Sequence, residues 1–236
     1  MARETHILVI PFPIQGHINP MLQFSKRLAS KGARVTLVAL SSIGKYSMEA
    51  LQLQASSVDF ETISDGSEEG KKLETMAARV EHFNSTFTQG LAKLTERQNG
   101  SKHPPKLGVN DSGMTWALNV AQQFGIDGAA FFTQSCGVTA IYYHANEGAI
   151  RMPVEGPSIS LPSLPSLGIN DLPSFVYDPG LYPGVLNLLL NQFSDFEEAK
   201  WLLCNTFNNL EDDVGSRLSN IIHPYIYIYI YIYNML

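Results

Sequence analysis

The sequence predicts an α/β fold, a Rossmann-like parallel sheet with helices on both faces. Three observations predict it. Residues 5–40 read strand, helix, strand, a unit that joins parallel strands through a right-handed crossover. The alternation of short β-branched runs with helical periodicity then continues to Asn205, as it does in doubly wound sheets. The 236 residues are 44% hydrophobic and 16% charged, which suits a chain that buries a core.

Thr5–Pro11 is a short run rich in Ile and Val and reads as a buried strand. After a turn at Pro13–His17, the pair Asn19-Pro20 predicts a helix start, with Asn as the cap and Pro in the first helical position. Met21, Leu22, Phe24, Leu28 and Ala29 recur with helical spacing, and Gly32 stops the helix. Arg34–Leu40 and Val58–Ile63 are the next strands, and Asp65–Lys72 is a charged loop. Leu73–Gln98 predicts a long helix broken near Gly90. Leu107–Asn110 is a short strand, Ser112–Phe124 a helix closed by Gly125, Gly128–Thr133 a strand and Ser135–Glu147 a helix. Met152–Pro183 holds more than half of the 13 prolines and reads as an irregular binding loop. Leu186–Lys200 is helical, Trp201–Asn205 a last strand and Phe207–Leu218 a helix.

Composition excludes several classes. The net charge is −6, with no dense Lys/Arg cluster, so duplex nucleic acid is not an expected partner. Two cysteines, Cys136 and Cys204, build neither a disulfide scaffold nor a Cys-based zinc site. The six histidines lack metal-ligand spacing, and no metal is assigned. The N-terminal apolar run is broken by Pro11 and Pro13 and lacks a cleavage site. With no stretch of 18 apolar residues, the expectation is a cytoplasmic protein without a signal peptide or membrane span. No Gly-x-Gly-x-x-Gly, phosphate-cradling loop or Gly-x-Ser-x-Gly elbow is present, which argues against those nucleotide-binding motifs and α/β-hydrolase chemistry.

Ligands of open α/β sheets bind beyond the carboxyl ends of the strands. That rule selects Phe12–His17, Asn110–Ser112 and Thr133–Ser135. His17 adjoins Gly16, which leaves room for a ligand to approach. A histidine near the positive end of a helix dipole favours the neutral ring that a general base needs. Asp111 could orient it by accepting from the other ring nitrogen. The plainer reading makes His17 a capping or packing residue and Asp111 an N-cap of the helix from Ser112, although Ser112 could cap instead. His6 reads as packed, His82 as solvated, His144 as a helix-surface or cleft residue, and Cys136 as small packing at a helix start.

The blocks HILVIPFPIQGHINPMLQFSKRLASKGARVTLVA, NDSGMTWALNVAQQFGIDGAAFFTQSCGVTAIYYH and WLLCNTFNNLEDDV resemble the N-terminal half of plant family 1 UDP-dependent glycosyltransferases. The likeness is closest to the branch that glucosylates small carboxylic acids such as salicylate. The resemblance covers residues 5–214 and implies the N-terminal acceptor domain of a GT-B fold, two Rossmann-like domains facing a cleft. It implies inverting transfer of glucose from UDP-glucose, used as a donor substrate with no cofactor, to a hydroxyl or carboxyl of a small metabolite such as a phenolic acid or flavonol. Carried over, His17 is the catalytic base and Asp111 its orienting partner. Thr133 contacts the donor sugar, and Ile14, Gln15, Gly16 and Gln134 line the acceptor side. The family's usual Tyr-Asp-Ser is Asn110-Asp111-Ser112 here, which keeps the Asp.

The family's donor segment, with its His-Cys-Gly-Trp-Asn-Ser run, does not occur in this sequence. The organisation expected is an acceptor domain over 1–218, an aberrant tail over 219–236, and no UDP-sugar domain. Such a chain would be inactive alone; the alternative reading is a non-catalytic acceptor-binding remnant or a product of intron read-through. The tail supports the latter: five Tyr alternate strictly with Ile from Tyr225 to Tyr233, as a T-A dinucleotide repeat would read in triplets. As a strand it would put Tyr on one face and Ile on the other, an uncharged aggregation hazard.

Overall fold

A computed structural model of the chain describes residues 5–43, 45–66, 76–162, 164–195, 198–207, 210–211, 213–216 and 226–229. The chain divides into two compact units, Met1–Asp111 with Trp116–Ala129, and Ser112–Thr115 with Ala130–Leu236.

The first unit contains four strands in the order β3-β2-β1-β4, namely β1 (His6–Ile10), β2 (Arg34–Leu40), β3 (Asp59–Ile63) and β4 (Pro105–Asp111). All three pairings are parallel, with Ile7 opposite Val35, Leu37 opposite Phe60 and Ile10 opposite Asn110. Every residue of β1 is buried. That is why its sequence is continuously apolar rather than alternating. Four helices accompany these strands: α1 (Gln15–Ser30), α2 (Lys45–Gln54), α3 (Met76–Asn99) and α4 (Trp116–Gln123). Met21, Leu22 and Phe24 form the buried stripe of α1. Gly32 ends the helix at φ +88°, a left-handed turn that suits glycine.

Four sequence expectations need correction in this unit. Helix α1 begins at Gln15, capped only by the extended backbone of Ile14, so Asn19 is not a cap and Pro20 lies inside the helix. The Asn-Pro pair mimics a start signal, but the ladder has already begun, with the N–H groups of His17 and Ile18 both donating to the carbonyl of Ile14. Pro20 removes one later rung, the N–H that would reach the carbonyl of Gly16. Helix α3 runs unbroken through Gly90, whose missing side chain lets Ile63 pack close: a Cβ there would meet Ile63 Cβ at 3.2 Å. Helix α4 starts at Trp116 rather than Ser112, and α2 (Lys45–Gln54) lies in a stretch where no element is predicted. The Asp65–Lys72 loop and the first residues of the Leu73–Gln98 helix fall largely outside the described residues.

The second unit carries the later part of β5 (Asp127–Phe132), then β8 (Trp201–Cys204) and β9 (Ile226–Tyr229), in the order β5-β8-β9. β8 and β9 pair in parallel, Trp201 opposite Ile226. Thus four residues of the Tyr/Ile repeat have strand backbone; the rest of the repeat lies outside the described residues. Helix α5 (Cys136–Asn146) follows β5, and Ser135 caps it by accepting from the N–H of Val138. The proline-rich segment is more ordered than predicted. It contains the antiparallel pair β6 (Ser158–Ile159) and β7 (Leu167–Gly168), a 3₁₀ turn at Ile169–Asp171, and the short helix α6 (Ser174–Tyr177). Helix α7 (Pro183–Asn191) starts at its proline and stops nine residues short of the predicted Lys200. Among the described residues, no helix is long and apolar enough to cross a membrane.

Candidate functional site

The parallel pairing of β1 and β4 brings the two selected strand ends of the first unit together. Asp111 is the last residue of β4, and His17 sits in the first turn of α1, immediately beyond β1. Nδ1 of His17 donates to Oδ2 of Asp111 at 2.6 Å, short for an N–H···O bond and characteristic of a charge-assisted one. The Asp111 side chain is fully buried, whereas 27% of the His17 side chain is exposed. A buried carboxylate needs a strong donor, and a half-exposed ring can present its far edge to a ligand. With Nδ1 carrying the proton toward Asp111, Nε2 is the acceptor nitrogen of the neutral ring. The plainer readings of Asp111 and Ser112 as caps of α4 fail, because that helix starts at Trp116.

Phe12 lies 5.5 Å from the His17 ring, tilted by 52°. A cavity of about 190 Å³ opens beside the ends of β1 and β2, lined by Pro11, Pro13, Ile18, Leu40, Leu51 and Phe87 among others. Ile14, Gln15 and Gly16 are all exposed, and a Cβ on Gly16 would meet nothing within 4 Å.

In the second unit, Thr133 and Gln134 lie on the loop between β5 and α5, both half-buried. Gln134 Nε2 donates to Gln192 Oε1 at 2.9 Å, and Ser112 Oγ donates to the same oxygen at 3.0 Å. Gln192 itself is buried and donates to the Leu189 carbonyl at 2.6 Å. Phe193 stacks on Phe132 and meets the edge of Tyr143. Sequence reading missed Gln192 and Phe193, because they were placed in the middle of a longer helix rather than just past its end.

The other titratable groups have structural settings. His6 is buried, donating from Nδ1 to the His103 carbonyl and accepting at Nε2 from Thr36 Oγ1; burial holds its pKa below the ordinary histidine value. His82 is not solvated as expected: its Nε2 is buried and stands where a Cβ on Gly66 would come to 2.5 Å. His144 is buried in α5 rather than on a surface, with Nε2 donating to the Pro162 carbonyl. Cys136 and Cys204 are both buried thiols, and a hydrogen bond with Cys136, then burial, pushes the Cys204 thiol well up. Neither suits nucleophilic work. Among the described residues, no group of three or more His, Cys, Asp or Glu could hold a metal ion.

Comparison with known proteins adds to this geometry. Residues 3–65 match the family described as "Glycosyltransferase, N-terminal domain". The chain is 44% identical over 214 residues to mogroside I-E synthase of Siraitia grosvenorii, covering 89% of this chain and 46% of that protein. It is 40% identical over 217 residues to UDP-glycosyltransferase 74E2 of Arabidopsis thaliana, covering 90% of this chain and 47% of the relative. Among solved structures, Os79 from O. sativa in complex with U2F and trichothecene superposes with a TM-score of 0.75 at 29% identity, over 91% of this chain and 50% of that one. The fold also matches TcCGT1 in complex with UDP, at a TM-score of 0.76 and 20% identity. The chain spans about half the length of the relatives it matches.

Proposed function

Since the chain carries the N-terminal domain of plant family 1 UDP-glycosyltransferases, we propose that it is the acceptor-binding half of an inverting glucosyltransferase in which His17 is the general base. The observation that carries this reading is the 2.6 Å bond between His17 Nδ1 and buried Asp111. Asp111 fixes the tautomer, so Nε2 takes the proton of an acceptor hydroxyl as its oxygen attacks the anomeric carbon of UDP-glucose. The bond from that carbon to the phosphate oxygen breaks, UDP leaves, and the configuration inverts. The resulting imidazolium is stabilised by the carboxylate behind it. Thr133 contacts the transferred sugar, and Ile14, Gln15, Gly16 and Gln134 are acceptor-binding residues. UDP-glucose is a substrate, and no cofactor is involved. The protein acts in the cytoplasm, and residues 1–218 form the acceptor domain.

The apolar cavity lined by Ile18, Leu40 and Phe87 supports an acceptor with a flat or fused hydrophobic body, such as a flavonol or another phenol. Carboxylic acids such as salicylate are the second acceptor class. The two differ in what they ask of His17, because a carboxylate is already ionised at neutral pH and needs no base.

The test pairs the chain, unaltered or with His17→Ala, with the UDP-sugar-binding half of a relative and follows product formation from UDP-glucose with a flavonol and with salicylate. The expected result is a loss of about 10²–10⁴-fold for the hydroxyl acceptor and a much smaller loss for the carboxylate. Equal rates for His17→Ala and the unaltered chain with the hydroxyl acceptor would refute the base. Calorimetric binding of the flavonol without turnover would leave an acceptor-binding module in place of an enzyme.

A further inference from the structure

The loop that carries Thr133 and Gln134 is held from its far side by a segment about 75 residues later, and every bond of that grip lies within the second unit. Asn205 binds it at the strand end: its N–H donates to the Phe132 carbonyl at 3.0 Å, and its Nδ2 donates to the Thr133 carbonyl at 3.0 Å. Glu211 binds it at the helix end. Oε2 accepts from the N–H of Cys136 at 3.0 Å, and Oε1 accepts from the N–H of Gly137 at 2.9 Å. Thr206 Oγ1 donates to Oε2 at 2.6 Å and aims the carboxylate.

The first N–H groups of a helix have no partner within it. In α5, Glu211 satisfies two of them and Ser135 Oγ accepts from the third, that of Val138. Glu211 also brings a negative charge to the positive end of the dipole.

We infer that Asn205 and Glu211 are positioning residues, a clamp that presets the Thr133–Gln134 loop for sugar transfer. The inference rests on the transferase reading for what the loop does, but not for the clamp itself. A loop whose two ends are both fixed by hydrogen bonds loses little conformational freedom when a ligand arrives, and preorganisation of this kind appears in binding and rate.

The test is amide hydrogen exchange of the full chain, with Glu211→Ala, Glu211→Gln and Asn205→Ala. Glu211→Ala is expected to speed exchange at Cys136 and Gly137 by about tenfold or more, the equivalent of one charge-assisted hydrogen bond. Exchange in β1, β2 and α7 should change less than about twofold. Glu211→Gln keeps one acceptor oxygen and should recover protection at only one of the two amides. Unchanged exchange at Cys136 and Gly137, or a uniform rise across the whole second unit, would overturn the clamp; the uniform rise would mean general loss of stability. In the turnover assay, Glu211→Ala should raise KM for UDP-glucose several-fold while leaving KM for the acceptor near its original value. An equal rise in both would count against positioning of the sugar side. Absence of turnover when the chain is paired with a UDP-sugar-binding half would fall on the transferase reading, and the exchange pattern would still decide the clamp.

Discussion

The two strand-end loops selected from the sequence are built by different means. At His17, parallel strands do the work: β1 and β4 lie in register, and their ends deliver His17 and Asp111 to within 2.6 Å. At Thr133, side chains distant in sequence do the work, since Asn205, Glu211 and Gln192 each reach the loop from elsewhere in the second unit. The first site is fixed by backbone topology and core packing. The second is fixed by a handful of polar contacts, each removable by one substitution.

The largest expected effect comes from the first site. Asp111→Asn keeps the shape but supplies an amide where His17 needs a carboxylate, so the wrong ring nitrogen can carry the proton. Transfer to a hydroxyl acceptor should fall by about 10²–10⁴-fold, measured as kcat with UDP-glucose saturating when the chain is paired with a UDP-sugar-binding half. A loss smaller than tenfold would mean that Asp111 is structural.

The packing of the first unit can be broken separately. A Cβ at Gly128 would come to 2.6 Å from Leu118 Cδ2, and Leu118 is itself buried. Gly128→Ala should therefore cost about 1–3 kcal/mol, seen as a lower urea midpoint with an unchanged slope. Ser135→Ala tests the other site. It removes the side-chain cap of α5 while leaving the Glu211 bonds in place, and should cost about 1 kcal/mol.

A gentler probe of the first unit is pH. Burial lowers the pKa of His6, with a smaller contribution in the same direction from Arg34; the His103 carbonyl and Asp59 oppose it. The unfolded chain takes up a proton near pH 6.5, above the lowered native value. Stability contributed by the neutral ring is therefore complete above about pH 6.5 and is lost as pH falls toward the native pKa. Unfolding midpoints between pH 7 and 5 should fall more steeply in the unaltered chain than in His6→Gln.

The same contrast explains what could be read from the sequence. The strand ends, and with them His17 and Asp111, were legible because period and strand order set them. Gly32 was legible as a stop because it occupies a left-handed position. The start of α1 was not, because Asn19-Pro20 carries a start signal that the ladder from Ile14 overrides. The order within Met152–Pro183 was hidden by its prolines, since β6 and β7 are only two residues each. Glu211 left no local signal at all. Its partners, Cys136 and Gly137, lie in another part of the chain, and no periodicity or cap rule connects residues that far apart.

The central claim is that Asp111 sets the proton on His17. Long-range ¹H–¹⁵N correlation spectra of the His17 ring, recorded on the unaltered chain at neutral pH, test it most directly. The predicted result is a ring protonated at Nδ1 with Nε2 as the acceptor nitrogen, and loss of that preference in Asp111→Ala. A ring protonated chiefly at Nε2, or a tautomer indifferent to Asp111→Ala, would contradict it.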